Sequence, residues 1–499
     1  FFFKQKTAYE ISTRDWSSDV CSSDLEYSHN RGDGRNQHSK LGEFSSMSKV
    51  NGLRTKAEKV LASISEVDEY GFGLNSILAI SENLDKEIES AAQIEGPLSG
   101  ELLVIKDNIE SVGLPATAGS LALANTPVEK DSSISARIKA AGGLIIAAAN
   151  LSEWANIRSS NSTSGWSAVG GLTANPWIHS HNAGGSSSGT GAAVASGLFS
   201  FGVGTETDGS IICPASLNGC IGLKPTVGLI PRDGVIPISS SQDSPGPMTQ
   251  RVIECEKLLG VLSGTDYSSA KESETKIRFG FVRNWLTKDE AVNAHLENAI
   301  RKLSSAGHEV IEIATVDPSD EMREDEFEIL LRELGEDLTH YLSNRSGSRV
   351  KSLSEVVSFN LRESKELAHF DQDLLDKALT LAGRDENYRV LRQRNLSWAT
   401  ETLNQILKDV DVAIGCTYGP AWKSTLGSGD QYSDASWITM APAIAGTPIG
   451  TLPMGFVGGL PVGIGVVARK LDELRLLNAM YALEKHLGLG VLTPTFVKN

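Results

Sequence analysis

Ser186, Ser210 and Lys106, each set among glycines or at the end of an apolar run, are the residues of this chain best suited to chemistry. Asn182-Ala183-Gly184-Gly185-Ser186-Ser187-Ser188-Gly189 is a loop of small residues leading into the helix-prone Ala192-Ala193-Val194-Ala195. With almost no side chains in the way, backbone and hydroxyls there can approach a ligand closely. A flexible linker has a similar composition. Gly185 to Gly189 also has the spacing of a Gly-x-Ser-x-Gly nucleophile elbow centred on Ser187, but that elbow needs an apolar strand before it. Trp177 to Asn182 is polar and turn-like, which argues against an α/β-hydrolase triad. A second element, Gly204-Thr205-Glu206-Thr207-Asp208-Gly209-Ser210-Ile211, follows the apolar Phe199 to Val203. A strand end feeding such a turn can aim several N–H groups at one point, where an oxyanion would form beside Ser210. A serine after glycine is equally at home as a plain turn residue.

These residues need a frame. Leu102 to Ile105 predicts a buried strand that delivers Lys106 at its end, and Leu144 to Ala148 predicts another, with a helix over Ile134 to Ala141 between them. Near the start, Leu53, Val60, Leu61 and Ile64 form a helical stripe, and a second helical stretch is expected from Asn75-Ser76-Ile77 into Ala92. From about 272 to 409 the chain turns charge-rich and helical, and its acidic blocks read as solvated helix faces. Apolar, Gly/Pro-punctuated sequence returns at Val410 and runs to Val467, before a last amphipathic helix over Leu471 to His486. Ile438 to Ala468 carries no charge, yet Pro442, Pro448, Pro453 and Pro461 make buried strands the expectation, not a membrane helix. The expected fold is α/β: a single large domain, 47–499, with a mixed twisted β-sheet core covered by helices on both faces and a helical insertion at about 272–409.

Composition narrows the function. The 499 residues carry a formal charge of −16, a field that repels phosphate backbones and disfavours nucleic acid or an anionic membrane as a partner. Five cysteines without paired close spacing and nine histidines without a His-x-x-x-His pair point to neither a disulfide framework nor a metal site, and a reducing cytoplasm is the expected setting. Residues 1–25 resemble translated sequencing adapter, and the polar stretch to residue 46 is expected to be disordered, with Met47 the expected start.

Three motifs in order carry a family resemblance. Lys106-Asp107-Asn108-Ile109, the Gly184 to Gly189 loop, and Asp208-Gly209-Ser210-Ile211 followed by Gly219-Cys220-Ile221-Gly222-Leu223-Lys224-Pro225-Thr226 resemble the amidase signature family. The likeness runs from about Asn75 to Tyr267 and from Ala443 to Glu484, and thins between. It implies an amide hydrolase with Ser210 as nucleophile, Ser186 as bridging serine after a cis peptide, and Lys106 as base. The backbone amides of Thr207, Asp208, Gly209 and Ser210 would form the oxyanion hole, with no cofactor and no metal. A lysine, whose reference pKa is about 10.4, can act as a base at neutral pH only if burial disfavours its charge. Many relatives have glycine where Asp208 stands and arginine where Ile212 stands. Pro231-Arg232-Asp233-Gly234 and Gln242-Asp243-Ser244-Pro245-Gly246-Pro247 look most like the peptide amidase branch, so a small-molecule or peptide amide is the expected substrate. The alternative is the glutamine-hydrolysing component of a tRNA-dependent amidotransferase. Asp243 is expected to be a buried structural carboxylate, and Thr205 either supports the seryl hydroxyls or makes a simple turn contact.

Overall fold

The computed structural model describes residues 35–270, 276–381, 383–431 and 435–498, with side chains from residue 47 onward. The adapter-like stretch lies outside the described residues, and the first helix, Arg35–Ser63, begins within the segment expected to lack structure. Residues 48–499 form one compact unit.

Its centre is an 11-stranded mixed sheet. In chain order the strands are β1 (Ile77–Ile80), β2 (Leu102–Lys106), β3 (Leu144–Ala149), β4 (Trp166–Ser167) and β5 (Gly171–Leu172), which form a separate ribbon, β6 (Phe201–Glu206), β7 (Ile221–Lys224), β8 (Ser244–Thr249), β9 (Arg278–Val282), β10 (Glu309–Ile313), β11 (Val412–Cys416), β12 (Ile449–Val457) and β13 (Leu460–Val467). Across the sheet they run β1-β3-β2-β6-β8-β7-β12-β13-β11-β9-β10. β2 lies parallel to both β3 and β6, with Leu103 opposite Phe201 and Ile105 opposite Val203. Leu103 and Ile105 enter one apolar core while Leu102 and Val104 enter the other. Burial on both faces explains why β2 reads as an unbroken apolar run instead of an alternating one. Helices Val252–Ser263, Glu290–Ser305 and Glu473–Leu487 cover the first face, and Ser188–Ala195 with part of Arg35–Ser63 covers the second.

The structure departs from the sequence reading in two places. The stretch from Asn75 is not helical at first: Ile77–Ile80 pairs antiparallel with β3 as an edge strand, and a helix follows only at Leu84–Ala91. Four half-buried residues are too few to show a period. The segment 272–409 is likewise not wholly helical, since it supplies β9 and β10 before four helices between Asp320 and Ile406. β10 is the other edge of the sheet, and its exposed Glu309 and Glu312 are the charges that blunt such an edge. The charge-free Ile438 to Ala468 forms the helix Met440–Ala445 and the β12–β13 hairpin, and among the described residues no helix is long and apolar enough to cross a membrane.

The helix Ser188–Ala195 is buried along its whole length, and its start packs against the strand end after β3. The Gly189 N–H donates to Asn150 O at 2.9 Å, and a Cβ on Gly189 would lie 2.3 Å from Ser76 O and 2.5 Å from Asn150 O. Both obstacles are backbone, so neither can swing aside. Gly189→Ala is therefore expected to destabilise the fold by about 1–3 kcal/mol or more, read as a lower denaturant midpoint with an unchanged slope.

Candidate active site

Parallel strands β2 and β6 end side by side, and their carboxyl ends deliver Lys106 and the turn that follows Glu206 to one place, where α/β sheets commonly bind ligands. Lys106 is completely buried. Its Nζ lies 2.7 Å from Ser186 Oγ, 3.0 Å from Thr205 Oγ1 and 3.2 Å from Thr205 O. Asn108 Nδ2 donates to the same Thr205 Oγ1 at 3.0 Å. Thr205 is thus the support of the lysine, the stronger of its two sequence readings. Burial pushes Lys106 down to about 7, while the nearby carboxylates of Asp243 and Glu206 pull it back up.

Ser186 is completely buried and follows a cis peptide bond from Gly185. It lines a cavity of about 290 Å³ together with Ser210, Thr207 and Asp208. The structure therefore brings Lys106, Ser186 and Ser210 to one spot, although no hydrogen bond joins the two serine hydroxyls. Ser187, the formal elbow position, points elsewhere: its Oγ donates to Thr205 O at 3.0 Å and accepts from Thr205 N at 3.2 Å, tying the loop to β6.

The turn after β6 is shaped by two constraints. Glu206 is buried and accepts from the N–H groups of Ile211 and Ile212 at 2.7 and 2.9 Å, capping the helix Ile212–Asn218. Gly209 has φ +78°, and a Cβ there would lie 2.5 Å from Tyr418 Oη, so only glycine fits. Among the described residues no protein acceptor meets the N–H groups of Thr207, Asp208 or Ser210, which leaves them able to bind an oxyanion.

Asp243 is more than a remote structural carboxylate. Its Oδ1 accepts from Thr207 Oγ1 at 2.6 Å, and its Oδ2 accepts from the N–H groups of Ile238 and Ser239, each at 2.9 Å. Burial raises it to about 6 in spite of these bonds. It holds the start of the turn and acts electrostatically on Lys106. Asp243 also lines a larger cleft of about 690 Å³, whose walls include none of Lys106, Ser186 or Ser210 and so offer none of this chemistry.

Several wall residues had no signal in the sequence. Tyr418, Thr439 and Leu330 come from segments far along the chain. Ala155 and Asn156 also line the cavity and, with Trp154, form three successive left-handed residues at φ 54°, 76° and 49° respectively. Each costs about 1–2 kcal/mol without glycine. They are held by Trp154 N donating to Ala118 O, Asn156 Nδ2 donating to Asp430 Oδ2, and the fully buried Arg158 between Glu153 and Glu366.

A family model described as Amidase matches residues 65–477, most of the chain. The chain belongs to the amidase family. A probable amidase of Arabidopsis thaliana is 32% identical over 409 residues, covering 78% of this chain and 77% of that protein. The amidase component of the glutamyl-tRNA(Gln) amidotransferase of Methanosarcina acetivorans is 29% identical, covering 87% and 94%. Among solved structures, the native peptide amidase of Stenotrophomonas maltophilia is similar to this amidase with a TM-score of 0.83 and 34% identity, covering 93% of this chain and 97% of that one. This amidase is accordingly a hydrolase of amide bonds, and its mixed sheet covered by helices is the fold seen in the peptide amidase structures.

Thr205→Val is isosteric but removes the hydroxyl that meets both Lys106 and Asn108. Stranding two buried N–H donors is expected to cost about 1–3 kcal/mol of stability, read by chemical denaturation, together with a drop in amidase activity.

Proposed function

We propose that this amidase cleaves carboxylic amides through an acyl-enzyme on Ser210, with Ser186 relaying the proton to Lys106. The observation that carries this reading is the 2.7 Å contact between Lys106 Nζ and Ser186 Oγ at the end of a fully buried strand, beside a cavity that Ser210 shares. A neutral lysine has two N–H groups and one lone pair. With the N–H groups directed to Thr205 O and Oγ1, the lone pair faces Ser186 Oγ. Lys106 takes the Ser186 proton while Ser186 takes that of Ser210, and Ser210 Oγ bonds to the amide carbon. The two hydroxyls come within reach of each other in the substrate complex, as catalytic hydrogen bonds often do. The N–H groups of Thr207, Asp208, Gly209 and Ser210 hold the oxyanion, and losing one such donor typically costs about 3–4 kcal/mol. When the C–N bond breaks, the proton returns through Ser186 to the leaving nitrogen, and water then hydrolyses the Ser210 ester.

For substrate, the TM-score of 0.83 to peptide amidase, against 0.63 to the glutamyl-tRNA(Gln) amidotransferase chain of Thermotoga maritima, favours a stand-alone amidase acting on carboxamides, including those at peptide C-termini. A panel of aliphatic, aryl and peptide amides assayed for ammonia release tests this.

Two measurements test the mechanism. Lys106 must be neutral to act, and its pKa lies near 7, so kcat/KM is expected to fall about tenfold per pH unit below 7 and to level off above it. Activity that stays flat from pH 5 to 9 contradicts a lysine base. An activated fluorophosphonate is expected to label Ser210 and to fail on Ser210→Ala, while Ser186→Ala slows labelling by about 10² to 10⁴. Label on Ser187 overturns the assignment.

A further inference from the structure

The cavity wall contains one polar atom that the mechanism leaves unused. Asp208 lies in the turn that carries Ser210, and its side chain takes a hydrogen bond from Thr439 on one oxygen. The other, Oδ1, is buried and has no hydrogen-bond partner among the described residues. Leaving a buried acceptor unmet is costly, so it is rare outside functional sites.

The surrounding charge decides what kind of group it would take. Asp208, Glu206 and Glu326 are faced by Lys224, Arg323 and Arg392. Three carboxyls against three cations leave no excess negative charge to attract a cationic substrate. What is missing is a neutral donor. Burial raises Asp208 to about 6, so at neutral pH it is a carboxylate that can only accept.

Amide geometry decides where that donor sits. An amide is planar, and the position on nitrogen on the same side as the carbonyl oxygen is a hydrogen in a primary amide but the substituent carbon in a trans secondary amide. The oxygen would be held by the Thr207–Ser210 turn, and Asp208 extends from that same turn. Resting on the Ser210 mechanism above, we infer that Asp208 accepts the hydrogen of a primary carboxamide that lies on the carbonyl-oxygen side, and thereby selects unsubstituted amides over N-substituted ones. An N-methyl group at that point meets a buried carboxylate oxygen instead of bonding to it, the kind of mismatch by which polar sites reject analogues most strongly.

The test uses one acyl group presented as its primary amide, its N-methylamide and its methyl ester, with kcat/KM measured for each on the full-length enzyme. The unmodified enzyme is expected to favour the primary amide over the N-methylamide by at least about 100-fold. Asp208→Ala is expected to lower the amide-to-ester ratio by at least about tenfold, because the ester has no N–H to lose, and to narrow the preference over the N-methylamide. Asp208→Asn keeps the shape with a weaker acceptor, and should move both ratios the same way by less. Amide and ester rates that fall in parallel in both variants would assign Asp208 to the shape of the turn alone, and either that or unmoved ratios overturns the inference. Failure of the underlying mechanism has a different signature, hydrolysis that survives Ser210→Ala with Asp208 intact.

Discussion

An ammonium group taken out of water loses several kcal/mol of hydration, and at Lys106 no buried carboxylate within bonding distance restores it. The contacts around Nζ are one serine hydroxyl, one threonine hydroxyl and one carbonyl oxygen, all neutral. Such a cage tolerates the amine far better than the ammonium. Most of the local architecture serves that condition. β2 is buried on both faces so that its last residue reaches the interior, β6 lies in parallel register beside it to supply Thr205, and the Gly184 to Gly189 loop is stripped of side chains so that Ser186 can come within 2.7 Å.

The balance is set by distance as well as burial. Asp243 and Glu206 are close enough to raise Lys106 but each is committed elsewhere, Asp243 to Thr207 and two backbone N–H groups, Glu206 to the start of the Ile212–Asn218 helix. They stabilise the protonated lysine without bonding to it, which is what a base needs after it has taken a proton. The same two carboxylates anchor both ends of the turn that carries Ser210. Positioning and electrostatics therefore cannot be varied independently at these positions.

Much of this was legible in the sequence, for physical reasons. Strands buried on both faces give continuous apolar runs, so β2 and β3 and the burial of Lys106 could be read directly. Close backbone approach demands glycine and serine, so the two loops stood out. The short edge strands β1 and β10 were missed because a half-buried strand of four or five residues with charged neighbours has no distinctive period. The walls were missed for another reason: Tyr418 and Thr439 are positioned by chain segments more than two hundred residues beyond the nucleophile, and no local pattern encodes such a contact. Asp243 was visible as a buried carboxylate, but its bond to Thr207 belongs to the pairing of β6 with β8.

The order of the strands has a consequence for the chain as it is made. Lys106 must find Ser186 80 residues later, and β7 is paired not with its sequence neighbour β6 but with β8 and with β12, more than two hundred residues downstream. At a synthesis rate of about 5–20 residues per second, the sheet waits on the order of ten seconds or more between the emergence of β7 and that of β12. During that interval Tyr418 and Thr439 are also absent, so the turn around Gly209 has no wall behind it. A nascent or prematurely terminated chain thus carries an ordinary serine, and the hydrolytic hazard arises only in a molecule that has been completed.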